Sequence, residues 1–202
     1  DEVLVSVVDP DKITQSINFT AIPDQVYAAP AIALQATAAS GNAVSFSSLT
    51  PNSCAVVAQT AQILATGLCT ITANALGDRT YLPATPVNKS FTIKAAPQTI
   101  SFAALPNKWL EPVAFTLNAR ASSTLPVTFK SNTASICAVQ NNSVTPLALG
   151  TCSIIAEQAG NANYNPAPAV TQSFSITPIV KQTQTLVFEA LKDRNLDDSL
   201  FD

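Results

Sequence analysis

The chain has 202 residues, with 10 Lys and Arg against 13 Asp and Glu for a net charge of -3, and it holds neither histidine nor methionine. Charged residues make up 11%, less than half of the roughly 25% usual in globular proteins. With no basic run the chain lacks the electrostatic footprint of a nucleic-acid binder, no apolar run nears the ~20 residues needed to span a bilayer, and 47% apolar content excludes a disordered chain.

Residues 1–14 read as the end of a preceding repeat or a linker. Val3-Leu4-Val5-Ser6-Val7-Val8 is a strand-like apolar run, closed by Asp9-Pro10-Asp11. The chain opens at Asp1 without a signal peptide, so it reads as an internal or processed piece. From Gln15 to Ile93 it then aligns without a gap on Gln98 to Ile176, an offset of 83 residues at which roughly two positions in five are identical. An internal period of that length marks a repeat architecture. It predicts one repeat over 15–97, a second over 98–183, and the start of a truncated third over 184–202.

Each copy opens on an alternating strand, Gln15-Ser16-Ile17-Asn18-Phe19 or Gln98-Thr99-Ile100-Ser101-Phe102, with Ile and Phe facing inward and Pro23 or Pro106 ending it. A second strand follows at Ile32–Ala36 or Phe115–Ala119, then Val44-Ser45-Phe46 or Val127-Thr128-Phe129. After these come the two cysteine segments, separated by Gln62–Ala65 or Val144–Ala148. A glycine loop leads to Tyr81-Leu82-Pro83 or Tyr164-Asn165-Pro166, and each copy closes on Ser90–Ile93 or Ser173–Ile176. About seven short strands per copy, with turn signals between them and no helical period, predict an all-β fold of tandem immunoglobulin-like sandwiches. An antiparallel barrel is the structural alternative.

All four cysteines recur at the same spacing, Cys54 and Cys69 in one copy and Cys137 and Cys152 in the other. Equal pairs point to disulfides and an oxidising compartment. A metal site is the competing reading, but zinc ligands usually stand two to four residues apart, whereas here the spacing is fifteen and the chain has no histidine. Closing such a loop would add roughly 3 kcal/mol to a domain of marginal size. No metal and no cofactor is expected. Without histidine, acid–base catalysis would rest on carboxylates or lysines. The acidic residues are not repeated: Asp24 stands opposite Asn107, and Asp78 opposite Asn161. Lys89 and Lys130 likewise have no lysine counterpart, which speaks against a Lys–Asn crosslink. The junction Lys94-Ala95-Ala96-Pro97 carries no carboxylate for calcium. The sequons at Asn18, Asn88 and Asn141 are read as incidental.

The run Gln98-Thr99-Ile100-Ser101-Phe102, Phe115-Thr116-Leu117, Pro126-Val127-Thr128-Phe129, Cys137-Ala138-Val139, Leu149-Gly150-Thr151-Cys152, Gln158-Ala159-Gly160-Asn161-Ala162-Asn163-Tyr164 and Gln172-Ser173-Phe174 resembles tandem bacterial Ig-like repeats. These occur in large secreted and cell-surface proteins of adhesin or filament type. The first copy departs from the pattern in two loops, at residues 38–42 and 77–81. The resemblance implies a structural or adhesive role, an extracellular or cell-surface location, and no catalytic residues.

Three functions are expected from this reading. One is a non-catalytic rod or stalk segment partnered by neighbouring repeats of the same chain. Another is a filament protomer joined to adjacent protomers by terminal strand exchange. The last is a glycan- or receptor-binding module, with loops near Trp109 and Tyr164 as its contact surface. Trp109, the only tryptophan, is placed in the loop after the first strand, where it either meets a partner or caps its own sandwich.

Overall fold

A computed structural model describes residues 11–180 and 184–190. The strand expected at residues 3–8 and the continuation of a third copy past residue 190 lie outside these.

The first copy forms nine strand segments: β1 (Ile17–Phe19), β2 (Gln25–Val26), β3 (Ile32–Ala33), β4 (Ala36–Ala38), β5 (Val44–Ser48), β6 (Cys54–Val57), β7 (Thr60–Ile63), β8 (Gly67–Ala75) and β9 (Val87–Lys94). The second copy repeats them as β10 (Ile100–Phe102), β11 (Lys108–Trp109), β12 (Phe115–Thr116), β13 (Ala119–Ala121), β14 (Thr128–Ser131), β15 (Cys137–Gln140), β16 (Ser143–Pro146), β17 (Gly150–Glu157) and β18 (Val170–Thr177). β3 and β4 are two halves of one strand that changes partner. Its first half pairs with β7 and its second with β1, and between them the Leu34 N–H donates to Gln59 O while Gln35 O accepts from Thr20 N–H.

One layer of the first sandwich is therefore β1, β3/β4, β7, β6, and the other is β2-β9-β8-β5. The second copy has the same order, with β11-β18-β17-β14 as its second layer. Two layers with β5 and β6 left as edges make an Ig-like sandwich and not a closed barrel. The strand that sequence alone does not show is β2, with its counterpart β11. It spans two residues and runs parallel to the end of β9 or β18.

Period-two alternation places one side of each strand inward. Ile17, Phe19, Leu34, Cys54, Cys69, Ile71, Phe91 and Ile93 fill the first core. Ile100, Phe102, Leu117, Cys137, Cys152, Ile154, Phe174 and Ile176 fill the second. Each fully buried Ile or Phe contributes about 1.5–3 kcal/mol. Gln184–Ala190 forms no strand, and Leu186, Val187 and Phe188 are more than four-fifths exposed. Among the described residues this segment has no second layer against which to bury them.

Both poles of each sandwich follow from this register. β8 starts beside the end of β9, with Gly67 opposite Ile93, and runs to the other pole, where the loop 76–86 returns the chain. The same holds for β17, β18 and the loop 158–169. The turn before β8 thus shares a pole with the exit of its sandwich, and the returning loop shares a pole with the entrance.

Candidate functional site at the junction of the two sandwiches

Three residues, Ala95 to Pro97, separate the last strand of one sandwich, which ends at Lys94, from Gln98 of the next. They do not form a free hinge. Ala96 is 7% exposed and bridges in parallel to Tyr164. Its N–H donates to Asn163 O at 2.9 Å, and its carbonyl accepts from Asn165 N–H at 2.9 Å. The Asn165 side chain also donates to Ala95 O at 3.2 Å. Ile13 makes the same bridge to Tyr81 ahead of the first sandwich.

The loop that grips the linker is itself held from below. Gln98 is 4% exposed. Its Nε2 donates to Gln158 Oε1 and to Asn165 O, each at 2.6 Å, and its Oε1 accepts from Ser123 Oγ. Gln158 Oε1 also accepts from the Gly160 N–H at 2.6 Å. Gly160 has φ +77, and a Cβ there would stand 2.4 Å from Tyr164 O, so only glycine lets the loop close so tightly. Asn161 Oδ1 then accepts from the N–H groups of Asn163 and Tyr164, both at 2.9 Å.

So fixed, the loop tip lies on the exit pole of the first sandwich. Asn163 Oδ1 accepts from the Thr66 N–H at 3.0 Å, and Thr66 Oγ1 donates to Ala162 O at 2.9 Å. The Tyr164 ring meets Tyr27 edge-on, with centroids 5.3 Å apart at 85°, a favoured aromatic geometry worth about 0.5–1.5 kcal/mol beyond area burial. Tyr27 is anchored in turn by its N–H on Lys94 O at 2.8 Å.

The cysteines support this contact. Cys54 is bonded to Cys69 and Cys137 to Cys152, each pair fully buried with Cα atoms 5.7 Å apart. Each bond ties β6 to β8, or β15 to β17, across the two layers. The ring from Cys54 to Cys69 contains Thr66, so the first disulfide closes the turn on which the second sandwich docks. The second disulfide closes the corresponding turn at the opposite pole of its own sandwich.

The structure places Trp109 and Tyr164 at different poles of the second sandwich. Trp109 lies on β11 rather than in a loop, opposite Thr177 at the exit pole. Tyr164 is at the entrance pole, the length of β18 away. Trp109 does not cap its sandwich either: it is 52% exposed, and the neighbouring Leu110 packs on the core. Lys130 pairs with Glu157 at 2.6 Å on the surface, a contact with a carboxylate and not an amide. Among the described residues no three His, Cys, Asp or Glu side chains are grouped to hold a metal.

The unmatched acids do share geometry with their counterparts. Asp24 Oδ1 accepts from Thr92 N–H at 2.8 Å, as Asn107 Oδ1 does from Ser175 N–H at 2.9 Å. Asp78 Oδ1 accepts from the N–H groups of Thr80 and Tyr81, as Asn161 does from Asn163 and Tyr164. What recurs is an acceptor, whether or not it is charged. Backbone donation from Thr92, then Lys94 at 3.2 Å, holds the Asp24 carboxyl below its ordinary value. For Asp78 the causes are the Asn42 amide, then Tyr81 and Thr80. A carboxyl depressed on folding stabilises above its unfolded pKa near 3.8, and that stability is lost as pH falls through the folded value. Thermal scans from pH 5 to pH 2 should therefore lower the first sandwich's midpoint through a linkage that the amides Asn107 and Asn161 cannot supply in the second. Asp24→Asn with Asp78→Asn should remove most of that drop; an unchanged acid response in the double variant would refute the assignment.

No protein-family model and no curated protein sequence matches the chain. Among solved structures it is similar to Drosophila N-cadherin EC1-4, at 11% identity and a TM-score of 0.33 over 81% of this chain and 51% of that one. Mouse cadherin-23 EC22-24 gives 14% and 0.34 over 85% and 67%. Domains 4-9 of the surface layer protein SbsC give 11% and 0.34 over 84% and 31%. The chain thus spans about half the length of the N-cadherin fragment and under a third of the SbsC fragment. The strand order, and not these scores, carries the fold.

Proposed function

We propose that the chain is a non-catalytic segment of an extracellular rod or stalk, built from repeats at 15–97 and 98–183 with a third opening at 184. The supporting observation is the junction: the linker is bridged at Ala96 to the returning loop of the second sandwich, and that loop is hydrogen-bonded to the first sandwich. A spacer has to transmit position, and this joint resists bending without adding a hinge. The buried disulfides suit an oxidising exterior, where a small domain gains most from covalent closure. Bacterial surface proteins of adhesin type are the proposed setting, by the sequence resemblance.

Spin relaxation of the two sandwiches tests the joint. They are expected to tumble as one elongated body. In Asn163→Ala with Tyr164→Ala, which removes the Asn163–Thr66 hydrogen bond and the ring contact, each should relax with the shorter correlation time of a separate unit. Independent tumbling in the unmodified chain would sink the rod reading.

A filament protomer is the second reading, favoured by the exposed Leu186, Val187 and Phe188, an apolar segment without a layer to join. Concentration-dependent polymerisation that is lost on deleting residues 184–202 would move the assignment there.

A further inference from the structure

The exit pole of the second sandwich repeats the face on which the junction is built. Leu110 stands where Tyr27 does, held by the same backbone bond, its N–H on Thr177 O at 2.9 Å. Leu149 stands where Thr66 does, each immediately before a glycine of positive φ, Gly150 at 136° and Gly67 at 129°. The chemistry differs. Leu149 is 48% exposed, with Leu147, Trp109 and Ile179 equally open around the pole. In the first sandwich the corresponding turn is covered by the loop tip 162–164; here no described residue makes that contact.

We infer that this pole is a docking face for a third Ig-like repeat of the same chain, whose returning loop would set an aromatic ring on Leu110 and an acceptor on the Leu149 N–H. The inference rests on the rod reading. Two observations name the occupant. The face is the equivalent of an interface already seen within the molecule. The segment after it also begins a repeat: Gln184-Thr185-Leu186-Val187-Phe188 matches Gln98-Thr99-Ile100-Ser101-Phe102, and Gln98 is the residue that holds the docking loop in place.

Magnitude favours a tethered repeat over a second copy. The existing junction is made by three hydrogen bonds and one ring pair, a small contact set beside the interface of about 1,000 Å² that free association usually takes, whereas a short tether supplies an effective concentration near millimolar. The connection from Thr177 to Gln184 is three residues longer than that from Lys94 to Gln98, a slack of about 10 Å. That slack permits docking without enforcing it. Leucine in place of Thr66 and Tyr27 makes this second joint depend on apolar contact.

The test compares the 202-residue chain with one in which a complete copy of residues 98–176 follows Thr183. Hydrogen exchange at the Leu149 amide is expected to slow at least tenfold in the longer chain. Leu149→Asp, which leaves the backbone N–H but charges the face, should let the added repeat tumble freely. Equal exchange of the Leu149 amide in both chains overturns the inference, as does an added repeat that does not fold at that position. Micromolar self-association of the 202-residue chain that protects Leu149 also overturns it, by placing a second copy on the pole. Failure of the rod reading shows elsewhere, as fast exchange at the Thr66 amide in both chains.

Discussion

Replacing Cys54 and Cys69 together by alanine is expected to cost the first sandwich about 3 kcal/mol, the loop-entropy value for a ring of fifteen residues. The same exchange at Cys137 and Cys152 should cost the second sandwich a similar amount, since its ring has the same length. On a unit of this size about 3 kcal/mol is a large share of the total stability. The two variants should differ in a second readout. Thr66 lies inside the first ring and donates the hydrogen bonds to the neighbouring sandwich, to Asn163 Oδ1 and Ala162 O. Opening that ring frees the turn, so relaxation should show the two sandwiches partly uncoupled even where both remain folded. Opening the second ring loosens a turn at the far pole and should leave their coupling intact. Calorimetry resolves the first effect and relaxation the second. Equal loss of coupling in both variants would separate the disulfide from the joint.

Gln98→Ala should cost the second sandwich about 2–4 kcal/mol, through three groups left without their buried partner: Asn165 O, the Gln158 side chain and the Ser123 hydroxyl. Gln98→Glu should do no better, because a carboxylate cannot donate to Gln158 Oε1 or Asn165 O. Both changes should also release Tyr164 from Tyr27, since the loop between them rests on Gln98. Gln15 provides the control. Its Nε2 donates to Leu76 O at 3.1 Å and Leu82 O at 2.8 Å, and its Oε1 accepts from Ser40. Gln15→Ala should therefore destabilise the first sandwich while leaving the junction alone, because the loop it holds faces the other pole. A Gln98→Ala variant with unchanged stability and a rigid junction would refute the clamp.

The sandwiches were legible because alternation, turn residues and the internal repeat all act locally and twice. Ile17, Phe19, Phe91 and Ile93 announce their inward side by spacing alone. β2 was not legible, since two residues leave no periodicity and its parallel partner lies far along the chain. The junction was hidden for a different reason. A repeat alignment selects positions that are the same in each copy, but a contact between successive copies joins different positions. Thr66 faces Leu149 in the alignment and Asn163 faces Thr80, so neither stands out as a repeated position. Gln98 is identical to Gln15 and reads as one more polar residue of an alternating strand, because its burial depends on a loop some sixty residues later. The Asp and Asn pairs misled by formal charge: an acceptor for a backbone N–H was the shared feature.

The two rings also set how far such a chain can lengthen. A unit unfolded by tension pays out its backbone at up to about 3.3–3.6 Å per residue. The segment between Cys54 and Cys69, and that between Cys137 and Cys152, stays short-circuited at a Cα separation of 5.7 Å. Each sandwich thereby withholds roughly 45 Å of contour. A tether of oxidised units would yield in short steps and keep its reach bounded. The same tether after reduction would give up that hidden length as well.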